Sequence, residues 1–185
     1  MNTRGRNISV IFGDGAGAIV MTRSENKNKG ILQSQLHSEG KYAEELSLIG
    51  PNTRRWVPEI LGENDPDDVS YFPQMNGQFV FKNAVIRFSE VINAGLKKTG
   101  WQPSDIDMLI PHQANLRISQ FVQKKFGLRD DQVFNNIQVY GNTTAASIPI
   151  ALTEAWEEGK IKEDSKVILA AFGSGFTWGS ISIKW

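Results

Sequence analysis

Cysteine is absent from all 185 residues of this chain. That excludes disulfides, thiolate metal sites and a thiol nucleophile supplied by the chain itself. Net charge is absent too, since 20 lysines and arginines face 20 aspartates and glutamates. No global field draws the chain to nucleic acid or to an anionic membrane, and neither partner is expected. No apolar run approaches the roughly 20 residues of a membrane-spanning helix. The opening residues 1–7 are polar with two arginines and lack the apolar middle of a secretion signal. The cytoplasm is therefore the default expectation. Histidine is scarce, with only His37 and His112. What the chain does have is 40% hydrophobic residues, enough at this length for a domain with a sizeable core.

The hydrophobic pattern predicts a series of short elements. Residues 8–12 and 19–21 are apolar and flank Gly13-Asp14-Gly15-Ala16-Gly17-Ala18, which reads as two strands around a tight glycine turn. Residues 26–30 are a polar turn, and 31–37 read as a third strand. Residues 41–73 are the least regular stretch, with Pro51, Pro58, Pro66, Pro73 and an acidic cluster at 63–68. A functional loop or cap fits them better than a packed element. Phe81, Val85, Phe88, Ile92 and Leu96 then recur at spacings of three and four, an amphipathic helix that Gly100 stops. A buried strand at 108–110, a helix at 116–126 closed by Gly127, and a strand within 133–139 follow. A helix at 147–158 ends at Gly159, and strands at 167–172 and 178–183 close the chain across Gly173-Ser174-Gly175. From residue 31 onward the alternation predicts an α/β sandwich with a mixed sheet. The first two strands stand outside that cycle and read as the end of a preceding, similar unit.

Two segments carry the chemistry: Ile110-Pro111-His112-Gln113-Ala114-Asn115 and Tyr140-Gly141-Asn142-Thr143-Thr144. Each sets a donor side chain after an apolar run and before a helical pattern, where α/β folds build sites. A His and an Asn presented together can polarise one carbonyl oxygen. On local grounds both residues also have plain readings: His112 as a core histidine, Asn142 as a turn asparagine. His37 has no polar setting and reads as structural. The glycines at 13–17 fit a phosphate loop poorly, because no Lys-Ser or Lys-Thr follows and the next element is a strand. Phe172-Gly173-Ser174-Gly175-Phe176-Thr177-Trp178-Gly179 allows close approach of backbone N–H groups to an oxyanion, or is an ordinary turn. Arg117, Gln120 and Lys124 share a helix face with Lys125 beside it, either a solvated face or one that meets an acidic partner.

Together these segments resemble β-ketoacyl-[acyl carrier protein] synthase III, a condensing enzyme of the thiolase-like superfamily. The resemblance rests on Phe12-Gly13-Asp14-Gly15-Ala16-Gly17-Ala18, Met75-Asn76-Gly77, Pro111-His112-Gln113-Ala114-Asn115-Leu116-Arg117-Ile118, Gly141-Asn142-Thr143 and Phe172 to Ser180, in the family's order. It implies an αβαβα sandwich of two similar halves, each with a five-stranded mixed sheet. Residues 1–29 would end the first half as a strand hairpin, and residues 30–185 would form the second. The family's nucleophilic cysteine lies in the first half, on a part absent here, so this chain alone is expected to be inactive. The implied reaction joins an acyl-CoA primer to malonyl-[acyl carrier protein] by decarboxylative Claisen condensation, in a homodimer, with no metal or cofactor beyond the thioester substrates.

Residue by residue, His112 and Asn142 match the catalytic donors to the malonyl thioester oxygen. For that role His112 must carry its proton on the nitrogen facing the substrate. Ser174 matches the position whose backbone N–H completes the oxyanion hole, and Phe172 an aromatic near the cysteine. Gly77 and Phe81 match positions lining the pantetheine tunnel. Lys82, Arg117, Lys124 and Lys125 match the carrier-docking surface. Two other readings compete: a related polyketide or HMG-CoA synthase-like acyltransferase, and a non-catalytic acyl-carrier-binding module. The wording of residues 111–118 favours synthase III over its relatives.

Overall fold

A computed structural model describes residue 8, residues 10–48 and residues 73–185. In chain order the elements are β1 (Gly30–Ser38), two short strands β2 (Leu46–Ser47) and β3 (Gln74–Met75), and the long helix α1 (Gly77–Thr99). They continue with β4 (Met108–Pro111), α2 (Leu116–Phe126), a single helical turn α3 (Ile137–Tyr140), α4 (Ser147–Glu157), β5 (Lys166–Gly173) and β6 (Thr177–Lys184). One mixed sheet runs β1-β6-β5-β4, with β4 and β5 parallel and the other neighbours antiparallel. The mixed α/β architecture expected from the alternation is thus present. Among the described residues no helix is long and apolar enough to cross a membrane.

The sheet separates two apolar layers, as the period of two along each strand dictates. Leu109, Ile168, Ala170 and Phe172 face α1 and α2. Met108, Ile110, Val167 and Leu169 face α4 through Ala151 and Ala155. All four residues of β4 are buried, the signature of a parallel strand covered on both faces. Helix α1 starts at Asn76, whose side chain accepts from the Phe79 N–H. It ends at Gly100, whose φ of 73° suits a residue without Cβ.

Helix α1 meets the sheet along a polar seam. Gln35 Nε2 donates to the Val91 carbonyl at 2.5 Å and to Ser180 Oγ at 3.0 Å, and Ser180 Oγ donates to the same carbonyl at 3.0 Å. Small inward residues on β6, Ser180 and Ser182, leave the room that Gly95 on α1 then occupies. A Cβ at Gly95 would sit 3.0 Å from Gln33 Nε2 and 3.1 Å from Ser182 Oγ.

Two expectations are corrected. The fifth strand expected within 133–139 shrinks to a bridge between Val133 and Leu109, so the sheet has four strands among the described residues. The cause is the buried Gln113 side chain. It donates to the Phe134 carbonyl at 3.2 Å and accepts from the N–H groups of Asn136 at 3.0 Å and Ile137 at 3.2 Å. These replace a strand ladder and bend the chain into α3. The glycine-rich start does not form the expected hairpin among the described residues. Phe12 instead bridges Asn142 in parallel, with Asn142 N–H donating to the Ile11 carbonyl at 2.8 Å and Gly13 N–H to the Asn142 carbonyl at 3.1 Å. The glycines permit this crossing, since a Cβ on Gly13 would lie 1.9 Å from the Tyr140 carbonyl oxygen. Of the irregular stretch, residues 41–48 form a 3-10 turn and β2, and residues 49–72 lie outside the described residues.

The seam predicts a specific weakness. Gly95→Val should destabilise the chain by about 1–3 kcal/mol by overpacking, read as a lower urea midpoint. An unchanged midpoint would contradict the close approach of α1 to β6.

Candidate active site

The site is built where two parallel strands end. The His112 N–H donates to the Ala170 carbonyl at 2.8 Å and so extends the β4–β5 ladder by one residue. His112, Phe172 and Ser174 therefore emerge at the same carboxyl edge of the sheet, the edge at which open α/β sheets bind ligands. Beyond His112 the chain turns at once into α2, capped by Asn115 Oδ1 accepting from the Arg117 N–H at 2.9 Å.

Asn142 lies in the loop between α3 and α4, which leads into Ser147. Its Oδ1 accepts from the Thr144 N–H at 2.9 Å, which fixes the amide orientation and leaves its NH2 as a donor. Gly141, with φ of 69°, makes the turn possible, and a Cβ there would lie 2.9 Å from the Ile11 carbonyl oxygen. The turn continues into Ser147, the first residue of α4, and Ser147 Oγ lies 2.6 Å from His112 Nδ1. The loop bearing Asn142 and the strand end bearing His112 are thus joined by one short contact. Glu154 of α4 pins both ends of α3, accepting from Asn136 Nδ2 at 2.8 Å and from the Tyr140 hydroxyl.

His112 is held neutral. Burial alone pushes its pKa down from 6.5 to about 4. A neutral imidazole donates one hydrogen bond and accepts another. Among the described residues no bond engages its Nε2. Asn142 is 9% exposed, so its amide is also largely desolvated. Neutral donors of this kind suit an oxygen that gains negative charge.

The remaining expected residues fall into two groups. Phe172 packs on Phe176, with ring centroids 4.8 Å apart, and Phe176 in turn meets Tyr42 at 5.5 Å and Phe79 at 6.1 Å. Phe79 lies in the first turn of α1, beside Gly77, and Phe81 packs against the same core. Phe172 thus joins an aromatic cluster with Phe176, Tyr42 and Phe79, whereas Gly77 has open space on its Cβ side and Phe81 packs on the wider core. Ser174 is exposed in the β5–β6 turn, and its hydroxyl donates to the Leu46 carbonyl at 2.7 Å. Lys82, Arg117, Lys124 and Lys125 are all exposed, and none makes an ion pair with another described residue. His37 is a cross-strand neighbour of Trp178 and stacks on it at 5.6 Å, in keeping with a structural role. A separate cavity of about 530 Å³ beside α3 and α4 is lined by none of the expected site residues.

Sequence reasoning missed Gln113 as the buried organiser, Ser147 as the partner of His112, and Tyr42, Phe79 and Phe176 in the aromatic cluster. The polar run His112-Gln113-Ala114-Asn115 held a hint of the first. The others depend on contacts between distant segments.

The chain has clear relatives among known proteins. Residues 96–185 match the family model described as 3-oxoacyl-[acyl-carrier-protein (ACP)] synthase III C terminal, and residues 1–40 match that described as 3-oxoacyl-[acyl-carrier-protein (ACP)] synthase III. The chain is 44% identical over 184 residues to the β-ketoacyl-[acyl-carrier-protein] synthase III of Desulfotalea psychrophila, covering 100% of this chain and 55% of that protein. The crystal structure of 3-oxoacyl-[acyl-carrier-protein] synthase III from Aquifex aeolicus VF5 is similar with a TM-score of 0.84 at 39% identity, over 97% of this chain and 52% of that one. The corresponding enzyme from Pseudomonas aeruginosa PAO1 gives a TM-score of 0.84 at 34% identity, over 97% and 52%. The chain spans about half the length of the curated relatives it matches. It belongs to the 3-oxoacyl-[acyl-carrier-protein] synthase III family of condensing enzymes, and its fold is that family's thiolase-like α/β fold.

The neutral His112 has a measurable consequence. Its folded pKa lies below the ordinary 6.5, so the unfolded chain takes up the proton first. Its share of stability is complete above pH 6.5 and is lost as pH falls toward 4, amounting to about 3 kcal/mol. An NMR titration should place the His112 imidazole midpoint near pH 4. A midpoint near 6.5 would show that the ring is not buried as described.

Proposed function

We propose that this chain supplies the decarboxylating half of a β-ketoacyl-[acyl carrier protein] synthase III active site. The observation that carries the reading is the joining of the His112 strand end to the Asn142 loop through Ser147. It leaves an imidazole nitrogen and an amide NH2 as donors on joined segments. In this reading malonyl-[acyl carrier protein] presents its thioester oxygen to both. The bond to the departing CO2 breaks, and its electron pair becomes an enolate whose charge the two donors stabilise. The enolate carbon then attacks the primer's thioester and expels the cysteine sulfur. That cysteine must come from a first half, because this chain has none. Without it the chain has no means of holding an acyl group and is inactive alone.

The other residues take supporting roles. The Ser174 N–H completes the oxyanion hole for the acyl thioester, with Phe172 beside the cysteine. Gly77 and Phe81 line the path of the pantetheine arm. Lys82, Arg117, Lys124 and Lys125 meet the acidic carrier protein. Residues 1–29 belong to the end of the first half and 30–185 to the second. The exposed Val20, at 91%, and Met21, at 74%, are then surfaces that the first half covers. The assembled enzyme acts as a cytoplasmic homodimer on acyl-CoA and malonyl-[acyl carrier protein], and its chemistry calls for no metal or cofactor.

The test is to join the chain to a cysteine-bearing first half and measure the two half-reactions apart. Asn142→Ala should still take an acyl group from acyl-CoA, read by mass spectrometry. It should release CO2 from the malonyl thioester about 10²–10³-fold more slowly. Lost acylation with intact CO2 release would overturn the assignment. Carrier docking has its own signature. Arg117→Ala should raise KM for malonyl-[acyl carrier protein] more than for acyl-CoA. The difference should shrink with salt, which screens exposed charges beyond about 8 Å at physiological ionic strength. Equal effects on both substrates would sink the docking role.

A further inference from the structure

We infer that Ser147 is a positioning residue that sets the tautomer of His112, donating its hydroxyl proton to Nδ1 so that Nε2 carries the ring proton. Ser147 is 2% exposed, so water does not serve its hydroxyl. Among the described residues, two groups lie within hydrogen-bond reach of Oγ: the Gln113 backbone N–H at 3.3 Å and His112 Nδ1 at 2.6 Å. The backbone N–H can only donate, so it occupies a lone pair of the serine oxygen. The serine proton then needs an acceptor, and Nδ1 is the one in reach. The reverse arrangement, with Nδ1–H donating to Oγ, would load the oxygen with two donors and strand a buried O–H. A stranded buried donor costs more than a made hydrogen bond contributes.

The identity of the partner matters as much as its position. A carboxylate at Nδ1 would draw the ring toward the imidazolium form and hold a proton on Nδ1. A serine hydroxyl does the opposite: it is neutral and gives its proton to the ring nitrogen. The imidazole keeps no net charge and presents a fixed N–H on its far side. Burial of the ring, which lowers its pKa, acts in the same direction. The importance of this tautomer for catalysis rests on the proposed role of His112 as a donor to a thioester oxygen. The tautomer itself is measurable without any reaction.

The experiment is 15N NMR of the histidine-labelled chain at neutral pH, comparing the unmodified protein with Ser147→Ala. In the unmodified protein His112 should show a protonated Nε2 and an Nδ1 that accepts a hydrogen bond. Loss of the hydroxyl should reduce the excess of this tautomer about tenfold, the equivalent of one hydrogen bond. A residue that only packed would leave the tautomer ratio unchanged on truncation, and that result would overturn the inference. So would a protonated Nδ1 in the unmodified protein, a reading that needs no variant and holds if Ser147→Ala does not fold. Should the assembled enzyme fail to condense thioesters while His112 keeps its Nε2 proton, the functional reading would fall and the assignment of Ser147 would stand.

Discussion

The Gln113 side chain ties the end of β4 to residues 134–137, where a single bridge between Leu109 and Val133 is the only sheet pairing among the described residues. Its amide donates to the carbonyls of Pro111 at 2.7 Å and Phe134 at 3.2 Å, and its oxygen accepts from the N–H groups of Asn136 and Ile137. It is 3% exposed, so each of these bonds replaces water that cannot enter. Removal of the side chain would leave buried backbone groups unpaired at about 1–3 kcal/mol each. The end of β4, the bend after Val133 and the start of α3 all take their positions from it. His112 precedes it in sequence and Asn142 follows α3, so the two donors inherit their placement from one buried amide.

Around that amide the site is electrically quiet. His112 is neutral and faces a hydroxyl, and Asn142 spends its oxygen on the Thr144 N–H. The charged groups that do approach lie one step back: Glu154 secures Asn136 and Tyr140 rather than touching the imidazole. Charge is instead displayed outward on α2, where Arg117, Lys124 and Lys125 are exposed. In the proposed function, a neutral corner for a developing negative charge and a basic face for an acidic partner are separate tasks. The fold keeps them on separate surfaces of one helix–strand unit.

Much of the fold was legible because it follows from periodicity. Helix α1 shows its buried face at three- and four-residue steps, and β4 and β5 are short apolar runs of the kind buried on both sides. His112 and Asn142 stood out because each sits at the junction of an apolar run and a helix. Two misreadings share one physical origin. A glycine-rich run between apolar residues predicts a hairpin, yet here the glycines let one backbone cross another at Asn142. An apolar run at 133–139 predicts a strand, yet a glutamine far back in the chain takes its hydrogen bonds. Ser147 was invisible for the same reason. Its role exists only once β4 and α4 are packed together, and no local pattern marks it.

The central claim is that His112 and Asn142 bind one and the same oxygen. A crystal structure of this chain joined to its first half, with a non-hydrolysable malonyl thioester analogue bound, tests it directly. The thioester oxygen should lie about 2.7–3.1 Å from both His112 Nε2 and Asn142 Nδ2, the distance at which such donors act. An analogue whose thioester oxygen touched neither donor, or was held by the Ser174 backbone N–H instead, would contradict the account.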